Sequence, residues 1–578
     1  MRGHGHCKRM CEYGAKARSV YQRPVPVQVP IRTLAPLIAA LLLLAGCGEN
    51  SGAGAVNLAP NQSVTLPIGH DLGNLDPALA GGETEVAVDA NLFDGVVSAD
   101  NLGGSVQPDL ASDLPKVSAD GRTYTFHLRT GLRFSNGDTL TAGDLVYSWS
   151  RTAALQGPDA GIFSDVTGYA ATVAAGAAGK LMSGLAATDD HTLEVKLGAP
   201  QSYFLDRLAS VAAAAVDPKV VATAGDPLGR ASDWANQPAT LVGTGPYHMI
   251  AKAAGASVDF APVSDWWGNL KPVLHLVHLQ VARDAPDPVA SYLTGAYDLV
   301  GYAGMEHLSL DALSRLHQSS AAQDLTTVAR NATTWIGFNY KRGPFVGPSS
   351  SAAKLRRAFS LAIDRRQLGD VVCHSSATCL AATGGLLPPG MRGYAGDGSD
   401  TLASFDATQA RSLLKQADPY GTATRGLLID FADTPENGVL FQFLQDQWEK
   451  NLGVHVDRRA GHPQTPPGVA PSPLFIQRWQ ARYDDPRDLF AGFFASTGSA
   501  NPGAFADTKV DDLITNADGQ TASNSLASYA SAGQTLQVDA GYIPAYYDSG
   551  NLVVKPHLAG ASLGAFFDGP WSSLEVLQ

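Results

Sequence analysis

Charge is scarce in this sequence. Of its 578 residues only 16% are Asp, Glu, Lys or Arg, while 45% are hydrophobic; soluble domains usually carry roughly 25% charged residues. No run of Lys and Arg interleaved with aromatics occurs after Arg32, so the chain lacks the basic stripe that nucleic-acid binding requires. The apolar run Leu34–Gly46 has 13 residues, short of the about 20 that cross a bilayer as a helix. Catalytic signatures are scarce: there is no His-Glu-x-x-His and no Cys/His ligand cluster, and the 14 His are scattered. His275 and His278 stand at an odd spacing in a strand-like segment, which puts their rings on opposite faces and excludes a metal pair. What is abundant is Gly, at 60, and Pro, at 35, which implies many turns and favours a large α/β protein over a helical bundle. A chain this long exceeds one core, so two or three domains are expected.

The charges present are unevenly placed. Met1–Gly46 holds seven Lys/Arg and one acid, Glu12, which leaves 34 basic and 53 acidic residues after it, a net of −19. Residues 2–32 are basic and Pro-rich, and Leu34–Gly46 reads as the apolar core of a signal peptide. The run ends Leu44-Ala45-Gly46-Cys47, which looks like a lipobox: small residues before a cleavage point, then a cysteine whose thiol is diacylated. The plainer alternative is an ordinary secretory signal with an incidental cysteine. Several acyl chains anchor stably, each buried CH₂ contributing about 0.8 kcal/mol. Residues 48–60 are small and polar, suited to a flexible tether. Of the other cysteines, Cys7 and Cys11 lie in the basic segment, while Cys373 and Cys379 either close a small disulfide loop in an oxidising compartment or stay as buried thiols. His374 beside them lacks the further ligands zinc needs.

The most informative stretch is Ala119–Arg151. Asp120-Gly121 is a turn signal, Thr123–Leu128 alternates with period two and reads as a strand, and Asn136-Gly137 marks a second turn. Thr141 then stands as an N-cap with Asp144 three residues on, ahead of a helix with Leu145, Val146 and Trp149 on its apolar face. Further along, Gly184–Val195 reads as turn and strand, Trp335–Asn339 as a buried strand, and Lys354–Leu368 as a helix presenting Leu355, Phe359, Ala362 and Ile363. Helices are expected over Ala407–Ala417 and Leu440–Leu452, a strand over Val454–Asp457, and a loop over the Pro-rich Pro463–Pro473.

Ala119–Arg151 closely resembles the signature region of family 5 extracellular solute-binding proteins, the dipeptide- and oligopeptide-binding lipoproteins of ABC importers. Landmarks of the same family stand in order along the chain, Leu75-Asp76-Pro77 and Leu92–Val96 before that stretch and Val242–Tyr247, Asp265–Gly268, Tyr292–Leu299, Leu386–Gly390 and Gly541–Tyr547 after it. The resemblance spans nearly all of residues 65–570. It implies an α/β, two-lobe periplasmic-binding-protein-like fold of type II, in its large three-subdomain variant, with a hinge and an interlobe ligand cleft. On that pattern residues 1–46 are a lipoprotein signal peptide and 47–62 a tether. The first lobe comprises 63–100 and 231–334 around an inserted subdomain at 101–230, the second lobe is 335–545, and 546–578 return to the first. Crossings are expected near Ala332–Trp335 and Pro544–Tyr547.

The resemblance further implies a monomeric receptor that is not an enzyme and uses no cofactor and no metal. It would be held by Cys47 at the extracytoplasmic face of the cell membrane, passing peptide or peptide-like solutes to ABC permease subunits. Alternatives are a non-peptide solute (sugar, metal chelate, haem or opine) or, in a different class, a secreted hydrolase. The implied ligand contacts are Gly82, Glu83, Thr84, Tyr302, Gly304, Trp479, Arg482, Tyr483, Asp484 and Asp485. One departs from the family pattern. In Trp479–Pro486 the fourth position, where peptide binders place a carboxylate for the ligand's α-ammonium, is Arg482. Either Asp484 or Asp485 has taken that role, or Arg482 meets an anionic or hydroxyl-rich group, or it points to solvent.

Overall fold

The structure is a computed structural model that describes residues 57–99, 106–176, 179–223, 228–230, 233–269, 271–282, 287–347, 350–459, 472–566 and 568–578. The signal peptide, Cys7, Cys11, Cys47 and most of the tether lie outside the described residues, as does most of the expected loop Pro463–Pro473.

Three sheets organise the chain. The first lobe is built on a four-stranded sheet in which Ser63–Ile68 runs parallel to Leu276–Val281, followed by Ser257–Pro262 and Tyr247–Ala253. Alternation writes that sheet's inner face: Val64, Leu66 and Ile68 point into one core with Val277, Leu279, Val258 and Phe260. The inserted subdomain carries its own four-stranded sheet, with Thr123–His127 between Lys116–Val117 and Thr192–Lys196. Across it lies the expected helix, observed as Ala142–Leu155, with Asp144 accepting the Thr141 backbone N–H at 2.7 Å. Trp149, Leu145 and Phe126 fill a separate core there.

The helix also ties the insertion to the lobe that carries it. Arg151 is 1% exposed, donates from Nη1 to Asp76 Oδ1 at 2.8 Å and from Nε to the Leu228 carbonyl at 2.8 Å. Burial of both charges is tolerated because each is paired and hydrogen-bonded. The Val242–Tyr247 stretch is a packing device. A Cβ at Gly243 would stand 1.9 Å from the Leu92 carbonyl oxygen, so only glycine lets the two backbones touch.

The second lobe hangs on a seven-stranded sheet whose centre is a pair of long antiparallel strands, Leu325–Phe338 and Ile543–Val554. Their first-lobe end pairs with Leu299–Val300, and their second-lobe end with Leu474–Gln480. The ladder between them shifts register between Ala329 and Thr333 and again between Thr334 and Trp335. Such bulges bend strands locally, and Ala332–Trp335 and Pro544–Tyr547 lie within this ladder.

Lys354–Leu368 is not one helix. It divides into Ser350–Leu361 and Arg365–Val371, because Asp364 accepts the backbone N–H groups of Arg366 and Gln367 and so starts a new helix. The helix expected from Leu440 starts earlier, at Pro435, with Thr434 as its cap. Cys373 and Cys379 form a disulfide, their Cα atoms 4.7 Å apart.

Candidate functional site

A cavity of about 360 Å³ opens beside the crossing strands. Its walls come from both lobes: Ala99, Val106, Asp206, Ala209 and Ser210 from the first lobe and its insertion, Val328 and Ala329 from a crossing strand, Pro389, Gly390 and Arg482–Asp484 from the second lobe, and Leu563–Phe566 from the returning chain. Most of that wall is apolar, with charge at a few points, the usual composition of a small-molecule pocket.

The loop after Leu474–Gln480 is anchored to the hinge. Asn331 accepts the Ala481 backbone N–H at 2.8 Å through its carbonyl and donates its side-chain amide to the Ala481 carbonyl at 2.7 Å. Beyond it, Asp488 gathers the loop. Its Oδ2 accepts the Trp479 indole N–H at 3.0 Å and the Arg482 backbone N–H at 3.2 Å, while its Oδ1 accepts Arg482 Nε at 2.9 Å and Nη2 at 2.6 Å. Arg482 therefore lines the cavity as a cation already paired, although its side chain is 70% exposed. Asp159 of the insertion faces it, and burial raises the Asp159 carboxyl despite that nearby charge.

Asp484 and Asp485 are buried on the other side of the loop, around Arg392. Arg392 donates its backbone N–H to Asp484 Oδ1 at 2.8 Å, its Nε to the Asp484 carbonyl at 2.7 Å and its Nη2 to Asp485 Oδ2 at 3.2 Å. The same Nη2 lies 2.7 Å from Asp206 Oδ2, across the cleft. One guanidinium thus serves three carboxylates. Burial outweighs it: Asp206 is pushed up to about 7, and Asp484 and Asp485 up to about 6. Beside this bridge Tyr483 stacks on Tyr203 of the insertion, centroids 6.0 Å apart, and Arg487 sits 4.2 Å over the Tyr203 ring.

The remaining expected contacts form a second group. Gly82 precedes the helix Glu83–Leu92 as its cap, and Thr84 donates its hydroxyl to the Ala303 carbonyl at 2.7 Å. Gly304 has φ +81 in the turn facing Thr84, a conformation that favours glycine. Tyr302 is 3% exposed and donates to the Ser562 carbonyl at 2.7 Å. Neither these five nor Trp479 and Asp485 are among the described residues lining the cavity, which takes only Arg482, Tyr483 and Asp484 of the expected contacts. The five meet the second lobe where Gln480 Nε2 approaches Glu83 Oε1 at 3.4 Å.

Asp206, Arg392, Asp159, Asp488 and Tyr203 escaped the sequence reading. Only Asp488 left a local trace, an opposite charge six residues after Arg482; the others are brought in from distant segments. Gly560-Ala561-Ser562-Leu563-Gly564 spells Gly-x-Ser-x-Gly. It follows the two-residue strand Leu558–Ala559, and among the described residues no α-helix begins after it, so it lacks the strand–turn–helix that exposes a serine nucleophile. Among the described residues no cluster of three or more His, Cys, Asp or Glu is placed to hold a metal.

Two α/β lobes, joined by a bulged pair of crossing strands and sharing a cavity, are the architecture of a solute-binding protein. The sequence profile of the bacterial extracellular solute-binding proteins, family 5 Middle, matches residues 105–501. The chain belongs to that family. It is 27% identical over 518 residues to the probable deoxycholate-binding periplasmic protein YgiS of Escherichia coli K12, covering 88% of this chain and 92% of that protein. It is 26% identical over 519 residues to the periplasmic murein peptide-binding protein MppA of the same organism, covering 87% and 91%. A solved structure of the murein tripeptide-binding protein MppA, in an unliganded open form, shares the fold with a TM-score of 0.78 at 24% identity, over 91% of this chain and 99% of that one.

Proposed function

We propose that this protein is the substrate-binding component of an ABC importer. It captures peptides or peptide-like solutes between its lobes and delivers them to the permease without turnover. The cavity bounded by both lobes and the crossing strands carries this reading, because a solute bound there makes closure favourable only through contacts on both sides. The relative named for murein peptides supports the cargo class. Cleavage before Cys47 and acylation of its thiol would tether the monomer to the outer face of the cell membrane, a reading that rests on the Leu44–Cys47 pattern. The domain limits set out above and the ligand roles of Glu83, Arg482 and Asp484 belong to the same proposal.

A second reading has its own support. The relative named for deoxycholate and the apolar cavity wall favour a non-peptide amphiphile on the same fold. Protein from residue 48 onward, screened by thermal shift against a peptide library and a panel of bile acids, separates the two. Peptide stabilisation is the expected result, and stabilisation by bile acids alone would reject the peptide assignment. For the anchor, Cys47→Ala is expected to abolish palmitate labelling and release the protein from the membrane fraction; unchanged labelling would reject it.

A further inference from the structure

Four consecutive residues of the returning chain, Leu563–Phe566, line the cavity, and the backbone around them is fixed at almost every position. Leu563 pairs antiparallel with Asp568, and the Gly569 N–H donates to the Ser562 carbonyl at 2.8 Å. Tyr302 secures the start of the segment twice, since its hydroxyl accepts the Ser562 N–H at 2.9 Å and donates to the Ser562 carbonyl at 2.7 Å. The crossing strand holds the middle: Arg330 donates from Nη1 to the Gly564 carbonyl at 2.6 Å, and the Asn331 N–H donates to the Ala565 carbonyl at 3.1 Å. Asp568 accepts the Ala303 N–H at 2.7 Å. Beyond these anchors the segment meets the second lobe. A Cβ at Gly390 would stand 3.1 Å from that of Ala565, and Phe566 packs on the core that contains Leu387 and Met391.

Leu563 has the cavity on one side and a second hollow on the other. An open groove of about 700 Å³ has Thr326, Leu552, Lys555, Leu558 and Leu563 in its wall. Thr326 of the groove and Val328 of the cavity stand two residues apart on one face of a crossing strand, opposite Leu552 and Gly550. Groove and cavity therefore follow one another along that face. At the division a Cβ on Gly550 would stand 2.9 Å from Leu563 Cδ2, which places the leucine side chain over the Val328–Gly550 pair. We propose that Leu563–Phe566 is a partition that ends the cleft at the crossing strands and confines it to short solutes, with Leu563 as the residue that sets the limit. The inference rests on the reading of the cleft as the solute site and adds what bounds the solute's length. The cavity, at about 360 Å³, is near the lower end of the roughly 300–1,000 Å³ of small-molecule pockets. An extended hexapeptide spans about 20 Å and needs the groove as well. Tyr302, expected as a ligand contact, is a positioning residue here: it acts on the solute through Ser562 and the segment that follows.

Calorimetric titration of protein from residue 48 onward with trialanine and hexaalanine tests this, with hexanoate and dodecanoate as a non-peptide pair of the same contrast. The wild type is expected to prefer the shorter member of whichever pair binds. Leu563→Ala joins the groove to the cavity and should raise the long-to-short affinity ratio by at least about 10-fold, the effect of burying two further CH₂-sized groups. Tyr302→Phe releases Ser562 while leaving the cavity wall intact, and should move the ratio the same way by a smaller factor. Val106→Ala widens the cavity at a residue that is not among those described as lining the groove, and should leave the ratio unchanged. Preference of the wild type for the longer members, an unchanged ratio in Leu563→Ala, or an equal rise in Val106→Ala would each overturn the partition. Should Leu563→Ala fail to fold, Tyr302→Phe decides: a raised ratio upholds the partition and an unchanged one overturns it. Peptides bound with the same ratio in every variant would keep the peptide reading and overturn the partition. Binding of the fatty acids alone, with their ratio raised in Leu563→Ala, would do the reverse.

Discussion

Replacing Asp206 by Asn should stabilise the protein in a pH-dependent way, and the amount follows from burial. In the fold the Asp206 carboxyl is pushed from its ordinary 3.8 up to about 7, chiefly because burial disfavours its charge, with Arg392 pulling in the opposite direction. An acid that keeps its proton to about pH 7 when folded, but loses it near 3.8 when unfolded, opposes folding at neutral pH, because unfolding lets it ionise. This opposition is absent below about pH 4. It grows by about 1.4 kcal/mol per pH unit above that, and levels off beyond pH 7 at about 4 kcal/mol. Asparagine has the same shape, can accept from Arg392 and cannot ionise. The variant should therefore match the wild type at pH 4 and exceed it by up to about 4 kcal/mol at pH 8. Urea unfolding followed by tryptophan fluorescence at pH 4, 6 and 8 measures the difference directly. Asp484 and Asp485 titrate in both proteins and largely cancel. A difference that is constant with pH, or largest in acid, would refute the reasoning.

Other substitutions probe other parts of the molecule. Trp149→Ala empties the insertion's core, where the indole is fully buried, stacks on Phe163 with centroids 5.1 Å apart and donates to the Ala213 carbonyl at 2.8 Å; a loss of about 3–5 kcal/mol is expected in denaturant unfolding, and under 1 kcal/mol would contradict that packing. Asp89 is fully buried with neither oxygen hydrogen-bonded, and burial, then Asp76 and Glu85, raise its carboxyl well above the ordinary range. Asp89→Asn should accordingly gain stability on the wild type as pH rises from 4 to 8; a flat comparison would show that Asp89 is ionised in the fold. Arg482→Asp places a third acid beside Asp488 and Asp159, so it should lower the melting temperature while tightening trialanine binding in calorimetry. Unchanged affinity would confine Arg482 to holding its loop.

Much of the fold was legible because it is written locally. The strand Thr123–His127, the capped helix from Ala142 and the helix Ala407–Ala417 follow from alternation, turn residues and caps, which act over a few positions. The division of Lys354–Leu368 was also local, but the cap at Asp364 sits within a continuous apolar periodicity that hides it. The site divides the same way. Trp479, Arg482, Tyr483, Asp484 and Asp485 stood out as one short stretch with an unusual cation. Nothing local announces that Asp206 shares Arg392 with that stretch, or that Tyr203 stacks on Tyr483, since these partners are separated by far more residues than any periodicity spans.

By itself the sequence determined the kind of protein this is: an ordered series of motifs, an acidic body, a stretch at Ala119–Arg151 whose residues build strand, turn and helix as scaffold. Tertiary structure decided the character of the cleft. It turned Arg482 from an apparent free cation into one neutralised by Asp488, and left one buried oxygen of Asp484 without a hydrogen bond. The physical reason is that charge compensation depends on distance through space and on exclusion of water, and only the folding of two lobes onto one hinge sets either.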